Sequence, residues 1–255
     1  MRRLYLISIL SAVLVGSPVW AAEAGKIDPI ELVTRSLDLT RGQSSYAEMT
    51  MFIKRPTWER RSSLSAWTRG QEDSLIRFTA PAKDAGNALL KQGNKMWMFN
   101  PKLNRNIRLP GSMMGQSWAG SDFSYNDLSR TDKYLRDYRL ELVETRVEDG
   151  KEIYTIDAIP RDEAPVVWGK ERLVIREDAV MIEMVYYDQD LLPLKKMVTL
   201  EIGEIGGRTI ATRMRIGDID DPESFTEIQY DGMDFDVELE DRLFTVFSLQ
   251  SGRTR

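Results

Sequence analysis

Residues Lys95 to Leu128, KMWMFNPKLNRNIRLPGSMMGQSWAGSDFSYNDL, run from a strand straight into an oily loop. Successive side chains of a strand point to opposite faces, so Met96 and Met98 share one side of Lys95 to Asn100, and Trp97 and Phe99 share the other. Both faces are apolar, which predicts a central strand covered twice. Pro101 turns the chain into a second short strand at Asn106 to Leu109, and Lys102, Arg105 and Arg108 form a basic cluster around that turn. From Gly111 to Phe123, Met113, Met114, Trp118 and Phe123 sit among Gly111, Gly115, Ala119 and Gly120. That composition suits either a mobile lid over a hollow or an Ω-type loop packed on a sheet. Ser121 or Asp122 is placed to cap a short helix beginning near Phe123, since their oxygens accept the free amides of a first turn. Asp122 and Asp127 therefore read as structural, with no second carboxylate or base tied to Asp122 by spacing.

Outside this stretch the pattern is one helix followed by strands. Asp28 at the cap and Pro29 at the first helical position open a helix to about Arg41, ended by Gly42, with Ile30, Leu32, Val33 and Leu37 on its apolar face. The period then changes to two. Strands are expected at Ala47 to Arg55, Ser62 to Arg69, Asp73 to Thr79, Ala88 to Gln92, Tyr138 to Val147, Ile153 to Ile159, Glu171 to Arg176, Val180 to Asp188, Leu194 to Ile202, Thr209 to Ile216 and Thr226 to Tyr230. A turn of helix is expected near Leu239 to Leu243. Short connections imply an antiparallel meander, and so many strands should curl rather than lie flat. In Thr209 to Ile216, Ile210, Met214 and Ile216 oppose Arg213 and Arg215; Val198, Leu200 and Ile202 oppose Thr199 and Glu201. One face is wet, and the few helices can only partly plug the other, leaving an apolar hollow. Ten of the twelve methionines lie between residues 49 and 214. Methionine adapts to irregular apolar shapes, whether those of an ordinary core or of flexible acyl chains.

The opening residues set the expected compartment. Arg2 and Arg3 precede an apolar run from Leu4 to Val15, then Gly16, Pro18, Ala21 and Ala22, the pattern of a secretory signal peptide over residues 1–21 cleaved near Ala21/Ala22. A run of about a dozen apolar residues is short of the ~20 that span a bilayer as a helix. A single domain over 22–255, periplasmic and not membrane-spanning after cleavage, is the expected product. Without Arg2 and Arg3, 33 basic residues face 40 acidic ones, a net charge near −7. Nucleic acid is an unsuitable partner for such a chain. Cysteine and histidine are both absent, which removes disulfides, Ser-His-Asp and Cys-His catalysis, and histidine or cysteine zinc sites. No cofactor and no metal are expected. The acidic turn at Asp218, Asp220 and Asp221 lacks the central glycine and final glutamate of a calcium loop and reads as a solvated hairpin turn.

Trp97, Pro101, Arg105, Ile107, Ser112-Met113-Met114, Gln116-Ser117-Trp118 and Gly120-Ser121-Asp122-Phe123 resemble the signature of the LolA-like family of outer-membrane lipoprotein-sorting proteins. The resemblance implies a mainly β (α+β) fold: a strongly curved antiparallel sheet forming an unclosed half β-barrel, with a few helices covering its concave apolar face. It also implies a non-enzymatic periplasmic carrier or receptor that binds acyl chains of a lipoprotein or lipid and hands them on towards the outer membrane. Met96, Trp97, Met98, Phe99, Met113, Met114, Trp118, Phe123 and Met214 are the candidate cavity and lid residues. Lys102, Arg105 and Arg108 are the candidate contact to a partner, either an inner-membrane exporter or an outer-membrane acceptor protein. An alternative is an accessory module that docks on an exporter or sorting complex and carries no lipid. A carboxylate-dependent hydrolase using Asp122 is the third reading.

Overall fold

The computed structural model describes residues 27–129 and 134–251; the expected signal peptide lies outside the described residues. The first helix, α1 (Pro29–Leu39), begins where the sequence places it. The Asp28 carboxylate accepts from the Ile30 amide at 2.9 Å, and Pro29 occupies the first turn, where its missing N–H costs nothing. The helix ends at Leu39, and Gly42, at φ +60°, turns the chain into the sheet. Leu32 and Val33 are buried, whereas Ile30 is 54% exposed, one residue off the face assigned to it.

Thirteen strands follow among the described residues: β1 (Ser44–Arg55), β2 (Trp58–Arg69), β3 (Asp73–Ala80), β4 (Ala88–Gln92), β5 (Lys95–Asn100), β6 (Arg105–Arg108), β7 (Tyr138–Glu148), β8 (Lys151–Pro160), β9 (Lys170–Arg176), β10 (Met181–Tyr187), β11 (Pro193–Ile205), β12 (Arg208–Asp218) and β13 (Phe225–Phe235). Each corresponds to a strand expected from period-two alternation. Their connectivity does not form the single meander expected. The spatial order is β6-β5-β4-β3-β2-β1-β13-β12-β11-β10-β9-β8-β7, so two meanders meet where the first strand pairs with the last, Ser45 opposite Phe235 and Lys54 opposite Phe225. Consequently the free edges are β6 and β7, neighbours in sequence. The segment between them bridges the opening of an unclosed, curled sheet.

That bridging segment contains α2 (Tyr125–Ser129) and α3 (Tyr134–Asp137). The cap of α2 is neither Ser121 nor Asp122. The Ser124 hydroxyl accepts from the Asp127 amide at 3.1 Å, and the Asp127 carboxylate accepts from the Ser124 amide at 2.8 Å, a reciprocal capping box.

The two faces of the sheet are covered differently. On the concave side, α1 packs Leu32 and Val33 against Tyr138, Ile156 and Leu173. Beside it, Met51, Leu64, Phe78 and Met96 pack with Trp118 and Tyr125 of the bridging segment. On the convex side, Trp67, Leu75, Leu90 and Phe99 lie beneath Leu243, Phe244 and Leu249 of the C-terminal segment, which forms a short 3-10 turn at Asp241–Phe244 and α4 (Val246–Ser251). Thus not every helix covers the concave face: α4 covers the convex one. The strand β5 is doubly covered, as its composition requires, but it is the penultimate strand rather than a central one. The trio Val198, Leu200 and Ile202 also differs from expectation. Register shifts in β11 between Thr199 and Ile202 accompany Leu200 and Ile202 lying at 37% exposure, while Lys195 and Met197 of the same strand turn inward.

Candidate functional site

Curling the sheet brings the odd-numbered side chains of β1 and the inward residues of β2, β3, β12 and β13 around a hollow of about 260 Å³. Its floor is apolar, with Met49, Leu64, Ile76, Met214 and Ile228. Thr40 and Arg41, just after α1, stand at one wall, and Trp118, Phe123 and Leu128 of the bridging segment stand at the other. Arg41 donates to the carbonyls of Gly70 (2.9 Å) and Asp73 (3.2 Å). Tyr230, on the same wall, has its phenol pushed up by burial, an effect the Arg41 charge opposes.

The loop closing this hollow is held at both flanks by charge. On one side Arg55 of β1 donates to the Asp122 carboxylate at 3.1 Å, and the fully buried Thr226 hydroxyl donates to it at 2.6 Å. The Asp122 amide returns a bond to the Thr226 hydroxyl at 3.0 Å. Arg60 of β2 donates to the Ala119 carbonyl. On the other side, Lys195 of β11 reaches the Asp127 carboxylate at 2.8 Å and the Asp122 carbonyl at 3.1 Å. Its ammonium also lies 4.7 Å from the Trp168 ring and 4.6 Å from Tyr186, so cation–π attraction adds to the ion pair. Between these anchors Trp118 packs its ring on Phe78, centroids 5.6 Å apart. Both loop carboxylates are thereby engaged in holding the loop.

The sequence-predicted residues separate into groups. Trp118, Phe123 and Met214 line the hollow. Met98 and Met113 belong to the same packed cluster behind it. Met96 and Met114 line a second cavity of about 390 Å³, at the gap between the sheet edges, together with Leu109, Asn126 and Val166. Trp97 and Phe99 are turned away from the hollow: strand alternation sends them to the convex face, under the C-terminal segment. Lys102, Arg105 and Arg108 are exposed on the β5–β6 hairpin. Arg41, Met49, Ile76, Tyr230 and Met233 also line the hollow. The alternation of Ala47, Met49 and Met51 along β1 carried that signal; for Arg41 and Lys195 no local pattern did.

Among the described residues no helix is long and apolar enough to cross a membrane. A family model described as an uncharacterized protein matches residues 70–251. No curated protein matches the sequence. Among solved structures, a DUF1329 family protein from Desulfovibrio piger is similar at 26% identity and a TM-score of 0.78, covering 88% of this chain and 100% of that one. An outer membrane lipoprotein-sorting protein domain from Vibrio parahaemolyticus is similar at 19% identity and a TM-score of 0.76, covering 87% and 98%. A LolA superfamily protein from Nitrosomonas europaea is similar at 20% identity and a TM-score of 0.73, covering 88% and 100%.

Proposed function

This chain belongs to the LolA-like family, and from that premise we propose that it is a periplasmic carrier or receptor whose concave hollow takes up acyl chains of a lipoprotein or lipid and passes them on towards the outer membrane. The observation that carries the reading is the apolar hollow under a tethered, methionine- and aromatic-rich loop. Burying acyl methylenes there is worth roughly 0.8 kcal/mol each, so a cargo needs no single strong polar contact. At about 260 Å³ the hollow is slightly smaller than the ~300–1,000 Å³ of ordinary ligand pockets. A diacyl cargo requires the segment from Gly111 to Phe123 to lift, and the anchors at Asp122 and Asp127 are what that movement must break. Asp122 and Asp127 are ion-paired to Arg55 and Lys195, and in this reading both hold the cover of the hollow.

Native mass spectrometry of the purified protein, before and after titration with a diacylated lipopeptide and with a diacyl phospholipid, tests the reading. Lipid-bearing masses, and uptake that competes with a fluorescent acyl probe, are expected. A clean unloaded mass with no uptake of either would overturn it.

A further inference from the structure

The antiparallel order puts six turns at one end of the sheet: β1–β2, β3–β4, β5–β6, β8–β9, β10–β11 and β12–β13. The opposite end is closed by tight polar turns such as Gly93-Asn94, Asp149-Gly150 and Gly206-Gly207. The six-turn end differs from it in two ways. It carries more exposed apolar side chains, with Trp58 at 46%, Leu103 at 61%, Leu191 at 56% and Leu192 at 61%, where the opposite end has Val147 beside the Asp149-Gly150 turn. It is also divided by charge.

On the half formed by β1 to β6, the exposed charges are Lys54 and Arg61 of the first hairpin, Lys83 of the β3–β4 turn, and Lys102 and Arg105 of the β5–β6 hairpin, against Glu59 alone. On the half formed by β8 to β13 they are Asp162 and Glu163 after β8, Asp190 after β10, and Asp218, Asp220, Asp221 and Glu223 around the β12–β13 turn, against Arg161 and Lys196, the latter paired with Glu183 at 3.2 Å. The seam between β1 and β13 places Lys54 directly opposite Phe225, so the two halves meet at the β1–β2 and β12–β13 turns.

We propose that this end of the half-barrel is a self-association surface, on which a second copy of the chain docks rim to rim. A two-fold axis lying in the rim and perpendicular to the charge gradient sets each basic half on the partner's acidic half, the self-complementarity an isologous dimer requires. Trp58 and Leu103 on the basic side, and Leu191 and Leu192 on the acidic side, supply apolar area at the contact, with aromatic and aliphatic anchors inside a charged periphery. A lipid surface is the less suitable occupant. An anionic bilayer attracts the basic half but repels the acidic half, which holds the larger number of charges. The inference does not depend on what the hollow carries.

Sedimentation velocity of the purified protein at low and high salt, with charge-reversal variants, tests it. A dimer that weakens with salt is expected. Asp218→Lys/Asp220→Lys/Asp221→Lys and, separately, Lys54→Glu/Arg61→Glu/Lys102→Glu should each weaken self-association about tenfold or more, since like charges then face each other. All six positions are exposed, and circular dichroism of each variant should match the parent. Mixing the two variants should restore a dimer, because their changed halves complement one another. A chain that stays monomeric at low salt, or a dimer indifferent to both reversals, would overturn the proposal. So would a monomer that cosediments with vesicles of phosphatidylethanolamine and phosphatidylglycerol through Trp58, Leu191 and Leu192.

Discussion

Lys195 of β11 and Asp127 of α2 form a buried ion pair at 2.8 Å across the concave face, with 11% and 4% of their side chains exposed. The two residues lie on opposite sides of the hollow's cover, one on the sheet wall and the other on the loop helix. Their bond therefore fixes how closely the loop sits on the sheet. Asp127 also completes the capping box of α2 and accepts from the Trp168 indole at 3.4 Å. One carboxylate thus organises both the helix and its attachment.

Removing one partner strands a buried charge. Lys195→Met should destabilise the protein by about 3–5 kcal/mol, measured by urea unfolding, whereas Lys195→Met combined with Asp127→Asn should recover much of that loss. If the pair also restrains the loop, hydrogen exchange of residues 111–128 should rise in the single variant beyond the change in global stability. Equal protection in parent and variant would show that the loop is held by its apolar contacts alone.

The hollow can be filled without touching its anchors. Ala66 is 8% exposed and lines the floor beside Leu64 and Ile76. Ala66→Phe should occupy much of the 260 Å³ and weaken uptake of the diacyl phospholipid by about tenfold or more, at an overpacking cost of about 1–3 kcal/mol. Unchanged uptake by the folded variant would place the lipid elsewhere.

The convex cover should behave as structure only. Phe244 is 1% exposed, packs in the cluster containing Phe99 and Leu90, and has the Arg69 guanidinium 4.8 Å over its ring. Phe244→Ala should cost about 3–5 kcal/mol in unfolding free energy, while lipid uptake by the folded fraction stays at the parental level. A selective loss of uptake would tie the C-terminal segment to the hollow.

Acid should weaken the sheet through its paired aspartates. The Arg176 guanidinium, bonded at 2.7 Å, holds the Asp178 carboxyl below its ordinary range against the opposing effect of burial. At Asp157 burial pushes the carboxyl up, but the pairs with Arg172 (2.7 Å) and Lys170 (3.2 Å) outweigh it and leave it lowered. A depressed folded value means that stability is fully present above the unfolded aspartate value near ~3.9, and is lost as pH falls through the lower folded values. Unfolding free energy should accordingly be flat in this contribution near neutrality and fall below about pH 4. Asp157→Asn should lower neutral stability and flatten that acid limb.

The strands were legible because a side chain's face is set by its immediate neighbours: alternation of Ala47, Met49, Met51 and Ile53 marks β1 without any long-range information. The opening of α1 was legible for the same reason, since Asp28 and Pro29 act within one turn. The Lys95–Leu128 stretch correctly announced a doubly covered strand and an oily loop. Which cover lies on which face was decided elsewhere, because Phe244 and Leu249 arrive from far along the chain to bury Trp97 and Phe99. Likewise no local pattern predicts that β1 pairs with β13, that β6 and β7 are the free edges, or that Leu200 and Ile202 face outward where β11 changes register.

By itself, then, the sequence determined the elements and the apolar character of their faces, both set by chemistry within a few residues. Only the tertiary structure decided the hollow, its Lys195–Asp127 and Arg55–Asp122 anchors, and the division of charge between the two halves of one rim. Each of these joins residues tens to more than a hundred positions apart, and strand order, a collective property of the whole sheet, is what brings them together.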